Sequence, residues 1–142
     1  MERIKAQAQA EAPNECCGVL LGHGDIVEEV FPGRNVHETP RIRYTMHSED
    51  LFRVDRLQNE RGWDLVGIYH SHPETKAEPS ATDKSLAMYP DARYLIVSLR
   101  DPTHPEVRAW RIVEKRDGDG EPVMDEGGRI VREVAEEDVV VT

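Results

Sequence analysis

The chain has 142 residues, a length that fits a single domain. Hydrophobic residues make up 38% of it and charged residues 32%, so one modest core must carry a strongly charged surface. The net charge of -10 at pH 7 argues against nucleic acid or an anionic membrane as the main partner, because both need a basic face. Cys16 and Cys17 are adjacent and cannot cross-link distant segments. No apolar stretch reaches membrane-spanning length, so we expect a cytoplasmic protein.

Hydrophobic periodicity and chain-breaking residues predict helices interleaved with strands. The predicted helices cover residues 1–12, Ser48–Arg61 and Ser80–Tyr89. The predicted strands cover Cys16–Gly22, Asp25–Phe31, Asp64–His70, Arg93–Leu99, Glu106–Val113 and Arg129–Val134. Residues 32–43 are expected to form a loop and residues 116–142 an acidic, partly flexible tail, frayed over Glu136–Thr142. This alternation predicts one domain, residues 1–142, of the α/β or α+β class.

The segment from Tyr69 to Asp83 (YHSHPETKAEPSATD) carries the residues best suited to chemistry. His70 and His72 lie two residues apart at the end of an apolar strand, so both imidazoles point to one face of the sheet. After a polar loop, Ser80 and Asp83 lie three residues apart at a helix start and share a face of that helix. Two histidines and one carboxylate form the open ligand set of a catalytic zinc site, which leaves a fourth position for water.

Each part of this pattern has an ordinary alternative. A lone His-x-His pair is usually two partly exposed histidines, and Ser80 with Asp83 is also a helix-capping pair. The succession of strand, His-x-His-Pro, polar loop and Ser-x-x-Asp within one short span favours a metal site over these alternatives. We therefore expect one zinc ion per chain, with a bound water, held by His70, His72 and Asp83.

A hydrolytic zinc site also needs a group that carries protons. The metal lowers the pKa of its water towards about 7, and a nearby carboxylate can accept that proton and pass it to the leaving amine. Charge and spacing alone do not identify the carboxylate. The candidates are Glu11, Glu15, Glu28 and Glu74.

The motif His-Ser-His-Pro, six residues, then Ser-x-x-Asp resembles the signature of the JAMM (MPN-plus) zinc metalloproteases. The resemblance is carried by VGIYHSHP and PSATD, between Val66 and Asp83, and by PNECCGVLLG near the N-terminus. It spans about residues 13–113 and points to the short, stand-alone prokaryotic members. It implies a mixed β-sheet packed with helices, a fold related to the cytidine deaminases.

By position, the resemblance also implies a role for each site residue. His70, His72 and Asp83 become the zinc ligands, and Glu15 becomes the general acid/base on the zinc-bound water. Ser80 becomes a donor to the oxyanion of the tetrahedral intermediate. The implied reaction is hydrolysis of the amide bond after the C-terminal Gly-Gly tail of a ubiquitin-like or sulfur-carrier protein or its adduct. Such a tail would bind in an extended form, as an added strand does.

Other functions compete with this hypothesis. A non-catalytic scaffold of the same fold is the main alternative, but such domains usually lack one or more ligands, and all are present here. A DNA-repair-associated relative carries Ser-Gly directly after His-x-His-Pro, where this chain has Glu74 and Thr75. A zinc nucleobase deaminase needs Pro-Cys-x-x-Cys, which this chain lacks. The sequence indicates no oligomeric state.

Overall fold

A computed structural model describes residues 1–138 of the chain. Its elements are α1 (Glu2–Glu11), β1 (Cys17–His23), β2 (Ile26–Gly33), α2 (Ser48–Arg61), β3 (Asp64–His72), α3 (Ala81–Leu86), β4 (Arg93–Ser98), β5 (Glu106–Glu114) and β6 (Arg132–Glu137). The strands form one six-stranded sheet in the order β2-β1-β3-β4-β5-β6. Strands β3 and β4 pair in parallel, whereas the other neighbouring strands pair antiparallel. The expected α+β class with a mixed sheet is confirmed.

The two long helices cover opposite faces of the sheet. Successive side chains of a strand point to opposite faces, so Leu20 and Leu21 of β1 belong to different halves of the core. Leu20 packs in a cluster with Ile4 and Ala8 of α1, and Leu21 packs with Val54 of α2. Because both faces are covered, strands β1, β3 and β4 at the centre of the sheet are buried along most of their length.

Helix α3 lies in the connection between the parallel strands β3 and β4, and a capping box begins it. The Ser80 hydroxyl oxygen accepts a hydrogen bond from the Asp83 backbone N–H at 3.0 Å. The Asp83 carboxylate in turn accepts a hydrogen bond from the Ser80 backbone N–H at 2.9 Å. The capping interpretation of this pair is therefore confirmed. It also fixes the Asp83 side chain at the start of the helix.

Helix α3 is shorter than expected, because it ends at Leu86 rather than at Tyr89. The backbone N–H groups of Met88 and Tyr89 donate to the hydroxyl oxygen of Tyr94, at 3.2 Å and 3.1 Å, instead of to helical carbonyls. A side chain from β4 thus satisfies the donors that a further helical turn would have used.

The edges of the sheet also differ from expectation. Strand β2 continues through Pro32 to Gly33, which the sequence assigned to a loop. Proline is tolerated there because β2 is an edge strand. Among residues 1–138, no helix is long and apolar enough to cross a bilayer.

Strand β6 begins and ends later than the expected strand Arg129–Val134. The expected fraying is wrong for Glu136 and Glu137, which belong to β6. Glu136 accepts two hydrogen bonds from Arg108, both at 2.7 Å, and Glu137 accepts one from Arg111 at 2.7 Å. These pairs across the β5–β6 ladder hold the strand in its register. The rest of the expected frayed end, residues 139–142, lies outside the described residues.

Candidate metal centre

The side chains of His70, His72 and Asp83 converge at the carboxyl end of β3. The Nε2 atoms of the two histidines are 3.1 Å apart. Asp83 Oδ1 lies 3.2 Å from Nε2 of His70, and Asp83 Oδ2 lies 3.0 Å from Nε2 of His72. Zinc bonds of about 2.0–2.2 Å in a tetrahedral arrangement put ligand atoms roughly 3.3–3.6 Å apart. The distance between the two nitrogens, and the distance from each nitrogen to its nearer Asp83 oxygen, are therefore within a few tenths of an ångström of the spacing that such an ion needs.

The hydrogen bond between His72 and Lys76 fixes which ring nitrogen of His72 is bare. Nδ1 lies 2.8 Å from the Lys76 carbonyl oxygen, which can only accept, so Nδ1 carries the proton of the neutral ring. Nε2 then presents a lone pair to the carboxylate of Asp83. Two facing lone pairs repel at this distance, so either a proton on Nε2, which forms a hydrogen bond with Asp83, or a metal ion lies between the two atoms. The donor set therefore fits a metal ion.

The carboxylate of Asp83 is ionised in this setting. Burial by itself would raise the pKa of Asp83, but the hydrogen bonds with His70 and His72 outweigh burial and hold the pKa well below its ordinary value. A metal ligand must be deprotonated, so the site keeps Asp83 in the form that binds a cation.

Glu15 lies beside this centre. Glu15 is 6% exposed, and Glu15 and Asp83 line the same cleft, whose volume is about 90 Å³. Burial raises the pKa of Glu15 to about 7, with His72 lowering it and Asp83 raising it to smaller extents. A carboxyl group with this pKa can both accept and release a proton near neutral pH.

The other candidate carboxylates lie elsewhere. Glu28 in β2 and Glu74 in the loop after β3 are exposed, and Glu11 is at the end of α1. Among the described residues, Glu15 is the one of the four that lines the cleft with Asp83. The geometry therefore favours Glu15 as the proton carrier.

Ser80 is exposed at the start of α3. Its hydroxyl oxygen accepts the N–H of Asp83, which leaves the hydroxyl proton available to a substrate. Ser71, between the two histidines, points to the opposite face of the sheet. There its Oγ accepts the backbone N–H of Cys16 at 2.7 Å, so Ser71 joins β3 to the residue that precedes β1 and faces away from His70 and His72.

The loop between β2 and α2 supports the site in a way that the sequence did not reveal. The Tyr44 ring stacks on the imidazole of His70, with planes 24° apart. The Glu15 backbone N–H donates to the Pro40 carbonyl at 2.7 Å, and the Glu15 carbonyl accepts from Asn35 Nδ2 at 3.0 Å. This loop therefore fixes both the acid/base candidate and one histidine ring. The available signal was an aromatic residue inside a polar, Arg-rich loop.

The chain is similar to known proteins over most of its length. The family model for prokaryotic homologs of the JAB domain matches residues 1–113. CysO-cysteine peptidase of Mycobacterium tuberculosis is 41% identical over 111 residues, which cover 77% of this chain and 75% of that protein. Desampylase of Haloferax volcanii is 41% identical over 100 residues, 69% of this chain and 72% of that protein. The chain is also similar to the solution structure of a Desulfitobacterium hafniense protein, with 33% sequence identity and a TM-score of 0.74. The match covers 100% of this chain and 88% of that protein.

The chain therefore belongs to the prokaryotic JAB family, which confirms the resemblance to the JAMM/MPN proteins. The names of the two relatives indicate a hydrolytic enzyme. The match to the family model ends at residue 113, so β6 lies beyond the matched region.

Proposed function

We propose that the protein is a zinc-dependent cytoplasmic peptidase. Its reaction is hydrolysis of the amide bond after the C-terminal Gly-Gly tail of a ubiquitin-like or sulfur-carrier protein or its adduct. The observation that carries the proposal is the convergence of one donor atom each from His70, His72 and Asp83 within 4.8 Å of one another, beside the buried Glu15. The similarity to a CysO-cysteine peptidase and to a desampylase supports a small carrier or modifier protein as the substrate.

The residues divide the chemistry between them. His70, His72 and Asp83 would hold one zinc ion, which supplies Lewis acidity and lowers the pKa of water when it is bound. Glu15 takes a proton from the water as the water oxygen forms its bond to the amide carbon. The same carboxyl group then delivers that proton to the leaving nitrogen as the C–N bond breaks.

The charge that develops on the amide oxygen needs a donor in a fixed position. Ser80 supplies a hydroxyl proton at the edge of the site, and the capping bond from the Asp83 N–H holds its oxygen in place. The donor is thus set before the substrate arrives, which lowers the cost of reorganisation during the reaction.

The shape of the cleft supports a narrow tail as the ligand. The cleft, about 90 Å³ in volume, lies between the loop that carries Tyr44 and helix α3. Leu86 lines its α3 side. Glycine has no side chain, so a diglycine segment needs less room than any other dipeptide. A diglycine segment in extended form therefore suits this cleft better than a segment with large side chains.

The test is cleavage of defined fusions. Zinc-loaded protein is incubated with carrier proteins that end in Gly-Gly and are fused to a short peptide, and the products are measured by mass spectrometry. Cleavage after the second glycine is expected, and the zinc-loaded Glu15→Gln variant and a fusion with bulky residues in place of Gly-Gly are the controls. Binding without any cleavage by the zinc-loaded protein would contradict a peptidase and favour the scaffold alternative.

A further inference from the structure

The loop between β3 and α3 is anchored on both sides of Lys76 by its backbone carbonyls. Ser98 at the end of β4 donates from Oγ to the Thr75 carbonyl at 2.5 Å. Trp110 in β5 donates from Nε1 to the Ala77 carbonyl at 2.9 Å. The carbonyl that lies between these two anchored groups is the one that accepts the Nδ1 proton of a histidine ligand, as described above.

We propose that Ser98 and Trp110 are positioning residues that select the tautomer of His72. Peptide units are planar, so anchoring the carbonyls on both sides of Lys76 leaves the carbonyl of that residue little freedom. It faces His72 Nδ1 and keeps a proton there, so that Nε2 is the nitrogen available to a metal ion beside Asp83. The inference rests on the proposed zinc site and assigns to it two residues, from two further strands, that touch neither metal nor substrate.

Burial makes these anchors effective. Ser98 and Trp110 are 5% and 8% exposed, and Trp110 packs with Ala77 and Ile96 in a cluster of buried residues. Water cannot readily replace the hydrogen bonds of a loop that is packed in this way. The register of the sheet sets one of the anchors directly, because Ser98 is the partner of His72 in the β3–β4 ladder.

A charged layer covers the outer side of the Trp110 anchor. The guanidinium group of Arg108 lies 4.8 Å from the centre of the Trp110 ring. Arg108 also binds Glu78 of the same loop at 3.2 Å and Glu136 of β6 at 2.7 Å. These ion pairs are partly exposed and contribute less to the stability of the loop than the buried hydrogen bonds do. They connect β6, beyond the region matched by the family, to the loop that holds His72.

The deciding variants remove single donors. Trp110→Phe keeps an aromatic ring and deletes the N–H, and Ser98→Ala deletes the hydroxyl. Trp63→Phe is the matched control, because it makes the same change at the other tryptophan, between α2 and β3. The first measurement is the zinc dissociation constant, by competition with a chelator. The second is nitrogen NMR of the His72 ring in metal-free protein, at a pH where the ring is neutral.

In Trp110→Phe the zinc dissociation constant should rise at least about tenfold, the effect typical of losing an outer partner of a ligating histidine. The share of His72 with its proton on Nδ1 should fall, whereas Trp63→Phe should match the wild type in both measurements. A folded Trp110→Phe with wild-type zinc affinity and tautomer would overturn the proposal. If Trp110→Phe does not fold, Ser98→Ala decides by the same two measurements.

These measurements need no substrate. A wild-type protein that cleaves no carrier fusion would contradict the proposed function and would leave the positioning test intact. Conversely, an active wild-type enzyme whose Ser98→Ala and Trp110→Phe variants keep the His72 tautomer would contradict the positioning roles alone.

Discussion

The Tyr44 ring stacks on the His70 imidazole with ring centroids 4.9 Å apart. Nδ1 of His70 is buried and has no hydrogen-bond partner among the described residues, whereas Nδ1 of His72 bonds to a loop carbonyl. The two histidines are therefore oriented by different means. An aromatic face holds His70, and a backbone hydrogen bond holds His72.

This difference predicts the effect of removing the tyrosine ring. Tyr44→Ala should weaken zinc binding about tenfold, because the His70 ring gains rotational freedom and loses its cover. Tyr44→Phe retains the stacked ring and should bind zinc as the wild type does. Competition with a chelator measures both constants. Equal, wild-type affinity in the two variants would show that the stack does not orient His70.

Removal of a ligand should empty the site. The wild type should contain one zinc ion per chain after desalting, and His70→Ala or Asp83→Ala should contain none, because two remaining donors do not hold the ion. Metal analysis by mass spectrometry measures the content. Glu74→Ala, which removes an exposed carboxylate of the neighbouring loop, is the control and should keep its zinc. A full zinc content in either ligand variant would disprove this ligand set.

The acid/base role separates from metal binding in Glu15→Gln. Glutamine keeps the shape of the side chain and cannot accept a proton, so the variant should retain zinc and lose activity by a factor of about 10² to 10⁴. Glu28→Gln, at an exposed position on β2, should keep wild-type activity. Turnover of the Glu15→Gln variant at the wild-type rate would exclude Glu15 as the proton carrier.

The raised pKa of Glu15 also predicts a pH dependence of stability. Burial raises this pKa from 4.5 to about 7, so between these values the folded state holds more protons than the unfolded state. The stability contribution of Glu15 is therefore present at low pH and is lost as the pH rises through this window. Glu15→Gln removes the ionisation that opposes folding.

Scanning calorimetry of metal-free protein tests this sign. The difference in Tm between Glu15→Gln and the wild type should be more positive at about pH 8 than at about pH 5. A change of about 3 °C or more is expected, since about 1 kcal/mol moves Tm by this amount in a domain of this size. A difference that is the same at both pH values would mean that Glu15 titrates as an exposed carboxyl group does.

Ser80 has a structural contact as well as a proposed chemical role, and two measurements separate them. Ser80→Ala should lose about 1 kcal/mol of stability with the helix cap. It should also lose about 10²-fold in kcat if the hydroxyl stabilises the oxyanion. Ser80→Thr keeps a hydroxyl and should retain most of the wild-type stability and most of the wild-type kcat. A lower Tm with an unchanged kcat, measured where all variants are folded, would assign Ser80 to capping alone.

The clustering of His70, His72 and Asp83 could be predicted from the sequence because their chemistry is distinctive and their spacing is local. His70 and His72 share a strand, and Asp83 begins the next helix, so short-range geometry brings them together. The anchors of the loop could not be predicted in this way. Their acceptors are backbone carbonyls, which are alike in every residue, and their donors Ser98 and Trp110 reach the loop only through the register of three strands.

The distinction between local signals and tertiary contacts also explains where the helices and strands differ from expectation. Helix α2 has the expected bounds because its polar start and Gly62 are local signals. Helix α3 ends early, and the Tyr94 hydroxyl on the following strand accepts the N–H groups of Met88 and Tyr89, a side-chain contact that the helical pattern does not indicate. Strand β6 lies later than expected because its backbone pairs with Ala109–Glu114 of β5 from Arg132 to Glu137, and this long-range pairing has no local signal in the sequence.

The anchors of the loop act on the main chain, and this leaves the side chains of Glu74, Thr75 and Lys76 exposed beside the metal centre. Substitutions there change the surface presented to an incoming protein and leave the carbonyls that hold His72 in place. In the proposed peptidase, substitutions at these positions can change the preference for a substrate protein while the residues proposed for hydrolysis stay the same. The side-chain atoms of this short segment can change the specificity, whereas its backbone atoms preserve the arrangement of the site.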